Sequence, residues 1–152
     1  MSSDSLSLLE ERTRPEPPEI DGYLDKLKSG GRSDAKAIIS TSHIFNIKSP
    51  IFSWNRRYFK VNKRTECLEY YTHKTSPKCT KAIHLSDIQH ATRFESCTFE
   101  LNAGQSGKYM LKAQSSAELT CWVNALNDYA QRRKEYNHWL SLKNISDAMN
   151  GR

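Results

Sequence analysis

The stretch SWNRRYFKV, Ser53 to Val61, packs a tryptophan, two adjacent arginines, two further aromatics and a lysine into nine residues. Written as a strand, it sorts itself, because successive side chains point to opposite faces. Asn55, Arg57, Phe59 and Val61 share one face; Trp54, Arg56, Tyr58 and Lys60 share the other. The first face turns from polar to apolar along its length. Such a strand begins at the rim of an open pocket and ends in a core.

The neighbouring segments read the same way. IDGYLDKL alternates with Ile20, Gly22, Leu24 and Lys26 on one face. LEYY at Leu68–Tyr71 follows the polar turn NKRTE, and Pro77 bars a strand interior in the next turn region. AIHLSDI carries Ile83 and Leu85, TFEL pairs Phe99 with Leu101, and YMLKA pairs Tyr109, Leu111 and Ala113. About seven short strands, punctuated by turns, predict a sandwich or barrel. At Ser115 the period changes. Ser115 with Glu118 forms a capping box, and Leu119, Trp122, Val123, Leu126 and Tyr129 follow at helical spacing. The same spacing continues through Tyr136, Trp139 and Leu140. One long closing helix is therefore expected.

A chain of 152 residues is the size of one domain with one sizeable core. The apolar fraction of 37% predicts a soluble protein, and no apolar run approaches the roughly 18 residues of a membrane span. The opening MSSDSLSLLEER has neither the basic and apolar regions of a signal peptide nor a glycine at position 2. Cys67, Cys79, Cys97 and Cys121 lack C-x-x-C spacing and read as reduced thiols, mostly core filler, in a cytoplasmic protein.

The net charge of +6 is unevenly placed. Residues 1–19 hold five acids and two arginines, whereas residues 22–64 hold ten Lys/Arg and two Asp. A concentrated positive field favours an anionic partner. A nucleic-acid partner is not expected, because no nucleic-acid motif accompanies the charge. No enzyme is expected either. The five histidines show no metal-ligand spacing, and neither a phosphate-loop nor a nucleophile-elbow motif occurs. The sequence thus calls for no catalytic residue, cofactor or metal.

In order, GYLDK, WNRRYF, LEYY, IHLSDI, FEL and YMLKAQSSAELTCWVNAL resemble a pleckstrin homology (PH) domain. The resemblance covers residues 20–130. It implies a mainly β fold with one C-terminal α-helix: a seven-stranded bent β-sandwich or barrel capped by that helix. Residues 1–19, acidic and proline-rich, are then expected as a disordered leader, and residues 131–152 as a helical extension or tail. The implied activity is non-catalytic binding of acidic lipid headgroups, mainly phosphoinositides, by a monomer peripherally associated with a membrane. The alternative is a protein-interaction PH domain, an adaptor or scaffold whose C-terminal helix meets a protein partner.

Phosphoinositide-binding members carry a lysine at the end of strand one and a Lys/Arg-x-Arg in strand two. Lys26 fills the first position and Arg57 the last, but Asn55 stands where a basic residue is expected. Asn55 offers a neutral hydrogen bond in place of a charge-assisted one, which lowers the expected affinity by roughly 1–2 kcal/mol. Tyr70, Lys28 and Lys48 join the candidate set, and Lys74, Lys78 and Lys81 line the turn before strand four. The alternative for these cations is that they are solvated rim charges. The loop 27–53 is unusually long. Its Ile44, Phe45, Ile47, Ile51 and Phe52 are candidates for a wedge entering the membrane interface, or else residues that extend the strands or fold as a small hairpin.

Overall fold

The computed structural model describes residues 11–28 and 53–151. Its seven strands are β1 (Asp21–Leu27), β2 (Trp54–Asn62), β3 (Cys67–Tyr71), β4 (Lys81–His84), β5 (His90–Arg93), β6 (Thr98–Asn102) and β7 (Lys108–Lys112). The helix α1 (Ser116–Asn150) follows. All ladders are antiparallel, in the order β4-β3-β2-β1-β7-β6-β5. β1 pairs with β2 from Asp21 to Leu27, but with β7 only at Asp25 and Lys26. One buried cluster takes Leu24, Phe59, Leu68 and Ile83 from one half of the sheet and Ala91, Phe99, Leu101 and Leu111 from the other. A flat sheet cannot bring those residues together, so the sheet folds over at β1.

The alternation expected from Ser53–Val61 is what places this core. Phe59 is fully buried, and its β1 partner is Gly22. Trp122 of α1 lies 3.9 Å from where a Gly22 Cβ would sit and meets Phe59 edge-on at 6.5 Å. The β2–β3 turn is fixed by Asn62, whose side-chain oxygen accepts from the N–H groups of Arg64 and Thr65. Glu66 closes that turn at φ 57, the left-handed region.

α1 starts as its sequence demands, with the Ser115 hydroxyl accepting from the Glu118 N–H at 3.1 Å. Leu119, Trp122, Val123, Leu126 and Tyr129 are all buried. Asn127 satisfies the edge of β5: its side chain accepts from the Ala91 N–H at 2.7 Å and donates to the Ala91 carbonyl at 2.9 Å. Beyond the sheet the helix continues to Asn150, as the apolar spacing predicts.

Residues 11–20 form neither helix nor strand. They belong to the segment expected as a disordered leader, yet Pro17 is buried, Arg14 binds Glu66 at 2.6 Å and Glu11 accepts from Lys143 at 2.8 Å. This part of the leader is a strap along α1. Three prolines stiffen it, lowering the entropy lost when it lies down. The thiols differ from expectation: Cys67 alone is buried, and Cys121 is exposed.

Candidate functional site

The strand directions define two ends of the sheet. Leu27 pairs with Trp54 at one end, which also receives the end of β3 and the starts of β4 and β7. The other end holds the β2–β3 turn. α1 crosses this second end, touching Gly22 through Trp122, Arg93 through Thr120, Ala91 through Asn127 and Glu66 through Arg133. The first end is left uncovered by the helix and forms the mouth.

The two-residue period sends a defined set of side chains to this mouth. Lys26 shares its face with buried Leu24, and Asn55 and Arg57 share theirs with Phe59. Tyr70 shares a face with Leu68, Lys81 with Ile83, and Tyr109 with Leu111. Lys26 Nζ sits 5.8 Å from the ring centroids of both Tyr70 and Tyr109, and Lys81 Nζ sits 5.3 Å from that of Tyr109. Tyr109 is held by its own hydroxyl, which donates to the Ser106 carbonyl. Arg57 is steadied by donating to the Arg56 carbonyl at 2.8 Å.

The electrostatics follow from crowding. The Lys26 ammonium is pushed below its ordinary pKa, first by burial and then by the nearby charges of Lys81 and Arg57. Lys81 is shifted the other way, chiefly by its bond to the Tyr109 side chain. Burial raises the Tyr70 phenol. None of the ion pairs among the described residues involves Lys26, Arg57 or Lys81. Among the described residues, three cations therefore converge without an ion-paired anion.

The structure brings Lys26, Asn55, Arg57 and Tyr70 together, with Tyr70 also packing on Phe59 at 5.0 Å. Lys28 is exposed just beyond β1, its N–H bonded to the Ser53 carbonyl. Lys48 and the wedge candidates Ile44, Phe45, Ile47, Ile51 and Phe52 lie outside the described residues. Arg56 pairs with Asp25 on the outer face, and Lys60 lies over Tyr71 there. Lys74 turns outward as well, over Tyr58, whereas Lys81 enters the mouth. Tyr109 was not among the candidates. Its place beside Lys26 depends on the β1–β7 ladder, a pairing of strands far apart in sequence. Lys81 was legible: stepping back two residues from Ile83 puts it on the inner face.

Among the described residues, no group of His, Cys, Asp and Glu side chains could hold a metal ion, and no helix is long and apolar enough to cross a membrane. A folded antiparallel sheet, plugged by a helix at one end and rimmed at the other by cations that have no ion pair among the described residues, is the architecture of a class of small β-domains. The PH domain family model matches residues 18–131, well over half of the chain, and the protein belongs to that family. Domains of this family are generally non-catalytic modules.

Solved structures agree on the fold. The PH domain of human oxysterol binding protein-related protein 11 is 23% identical with a TM-score of 0.57, over 83% of this chain and 91% of that one. The PH domain of human TBC1 domain family member 2 protein is 21% identical with a TM-score of 0.54, over 84% and 91%. The C-terminal PH domain of pleckstrin, in complex with D-myo-Ins(1,2,3,5,6)P5, is 24% identical with a TM-score of 0.52, over 75% and 97%. No curated protein matches the chain.

Proposed function

We propose that the protein is a non-catalytic module that binds the phosphorylated headgroup of a phosphoinositide at this mouth, and so associates peripherally with an anionic membrane. The observation that carries the reading is the convergence of Lys26, Arg57 and Lys81, none of them ion-paired among the described residues. Holding like charges together costs free energy, and a bound polyanion relieves that cost while forming charge-assisted hydrogen bonds. Arg57 supplies a planar fork; Lys26 and Lys81 supply point charges from strands on either side. Basic residues near the bilayer add about 1 kcal/mol each to the attraction. The inositol phosphate in the pleckstrin structure supports this choice of ligand.

Sedimentation with vesicles carrying single phosphoinositides, at matched surface charge, tests the proposal. Wild-type protein is expected to prefer one or a few headgroups. Arg57→Ala should weaken binding several-fold, and Arg56→Ala, whose side chain pairs with Asp25 outside the mouth, should do less. Equal loss in the two variants, or equal binding to all anionic vesicles, would replace the site with diffuse attraction.

Asn55 is the feature that favours the adaptor reading. It places a neutral amide among the cations and lowers the affinity that the mouth alone can reach.

A further inference from the structure

We propose that the projecting part of α1 is a docking surface for an acidic amphipathic helix of a partner protein, seated along Leu142, Ile145 and Met149 and flanked by Arg12 and Lys134. The inference does not depend on the lipid reading. All the exposed large hydrophobic side chains among the described residues lie on this arm: Leu140, Leu142, Ile145 and Met149. Ile145 is 57% and Met149 77% exposed. Leu142, Ile145 and Met149 are spaced by three and four residues, so they form one stripe. From Arg133, which reaches Glu66 of the β2–β3 turn, to Asn150 the helix advances about 25 Å.

The stripe runs into a groove of about 560 Å³, whose lining includes Arg12, Lys134, His138, Trp139 and Leu142. Trp139 is 5% exposed, and its indole N–H is buried with no hydrogen-bond partner. An unmade bond at a buried donor costs about 1–3 kcal/mol, which an acceptor brought by a ligand would recover. Charge selects the ligand. Arg132 is neutralised by Asp128 at 3.0 Å and Lys143 by Glu11 at 2.8 Å, whereas Glu135, which also lines the groove, accepts from the neutral Gln131 at 3.2 Å and keeps its charge, so two cations without ion pairs outweigh one carboxylate there. Arg12 and Lys134 have no ion pair among the described residues, and both are positive. An apolar seam with cationic flanks fits an amphipathic helix with acidic flanks.

A lipid surface fits less well. A helix lying in the membrane interface presents a broad apolar face, whereas this stripe is one residue wide and the strap occupies the side next to it. The arm also leaves from the end of the sheet opposite the mouth. A protein can therefore dock on the arm while the mouth faces a membrane.

The test is an NMR titration of the full ¹⁵N-labelled chain, following the Trp139 indole N–H and the amides of 138–150. The probe is a designed amphipathic peptide of about 20 residues with leucine seams and glutamate flanks, compared with the same peptide carrying lysine flanks. The glutamate peptide should bind at micromolar level and the lysine peptide about tenfold more weakly. Leu142→Ser/Ile145→Ser should reduce binding about tenfold with helicity retained, and Lys134→Glu should narrow the preference for glutamate. Equal response to both peptides, or no response to the glutamate peptide, overturns the proposal. So do the same shifts appearing on concentration alone, which would make the occupant a second copy. Shifts caused by phosphatidylserine vesicles without peptide would make it a membrane, and would equally overturn it.

Discussion

Lys26 on β1 stands directly across from Asn55 on β2, the two being ladder partners on the inner face. The most crowded cation of the mouth thus faces a neutral amide. Asn55→Lys should add a fourth charge to the ring. Replacing a neutral hydrogen bond by a charge-assisted one is worth about 1–2 kcal/mol. Titration calorimetry with a soluble inositol trisphosphate should show affinity rising roughly five- to thirtyfold. The ligand-free variant should melt lower, by about 2–4 °C for each kcal/mol of added repulsion. A loss of stability with no gain in affinity would place the headgroup away from this face.

Removing the central charge should have the opposite signs. Lys26→Met keeps most of the chain length but not the ammonium. Binding to the same inositol phosphate should fall at least tenfold, or about 1.4 kcal/mol, and ligand-free stability should hold or rise. A pH series identifies the cause. The Lys26 pKa is lowered on folding, so between its folded and unfolded values the unfolded chain binds more protons. The Lys26 contribution therefore penalises the folded state at neutral pH, and the penalty is relieved as pH rises toward 10.5. Lys81, whose pKa is raised, stabilises the fold below 10.5 and loses that contribution at higher pH. Urea denaturation of wild type and Lys26→Met at pH 8 and pH 10 separates the two groups. The advantage of the variant should shrink at the higher pH; a constant difference would mean that packing, not charge, sets it.

Much of this site is written in local periodicity. The face shared by Asn55, Arg57 and Phe59 follows from strand geometry alone, as does Lys26 beside Leu24. The helix and its six buried positions follow from spacing, and Ser115 announces its start. What strand periodicity does not carry is which distant strands meet. Tyr109 reaches Lys26 because β7 pairs with β1 at Leu111, across more than 80 residues of chain. Lys74 looks like a mouth residue on the basis of its turn, but its N–H bonds the Tyr23 hydroxyl and draws it to the outer face. The strap is invisible for another reason. A segment rich in proline and acid has no apolar period, and its anchors, Glu66 and Lys143, are single charges that only the fold brings within reach.

Glu66 holds the strap and the helix at once. Its carboxylate accepts from Arg14 at 2.6 Å and lies 3.7 Å from Arg133. The Arg133 side chain is only 18% exposed, and its Nε has no partner. Glu66→Ala would leave that guanidinium without its counter-charge and should cost about 2 kcal/mol, less than a fully buried pair because water reaches the site. Arg14→Ala, removing a mostly exposed partner, should cost under about 1 kcal/mol. Glu66→Gly loses the same charge but suits the left-handed backbone at this position, so it should be about 1 kcal/mol more stable than Glu66→Ala. Urea midpoints of the three variants check the order. If Arg14→Ala costs as much as Glu66→Ala, the strap rather than Arg133 is what the carboxylate holds.

Trp139 tests whether the arm is part of the cooperative fold. Its ring lies 5.5 Å from that of Tyr136 and under the Lys143 ammonium at 5.3 Å, and Lys143 is tied in turn to Glu11 of the strap. None of these neighbours belongs to the sheet. Truncating a buried tryptophan typically costs about 3–5 kcal/mol when it lies in the main core. Trp122→Ala, which removes a core ring packed on Phe59, should show that full loss in the global unfolding transition. Trp139→Ala should not, because the arm and strap can open while the sheet stays folded. Hydrogen exchange is expected to quicken across 134–150 and 11–17, with the amides of β1–β7 and the first half of α1 unchanged. The melting temperature should move by no more than a few degrees. A global loss as large as that of Trp122→Ala would mean that the barrel, the strap and the arm unfold as one unit.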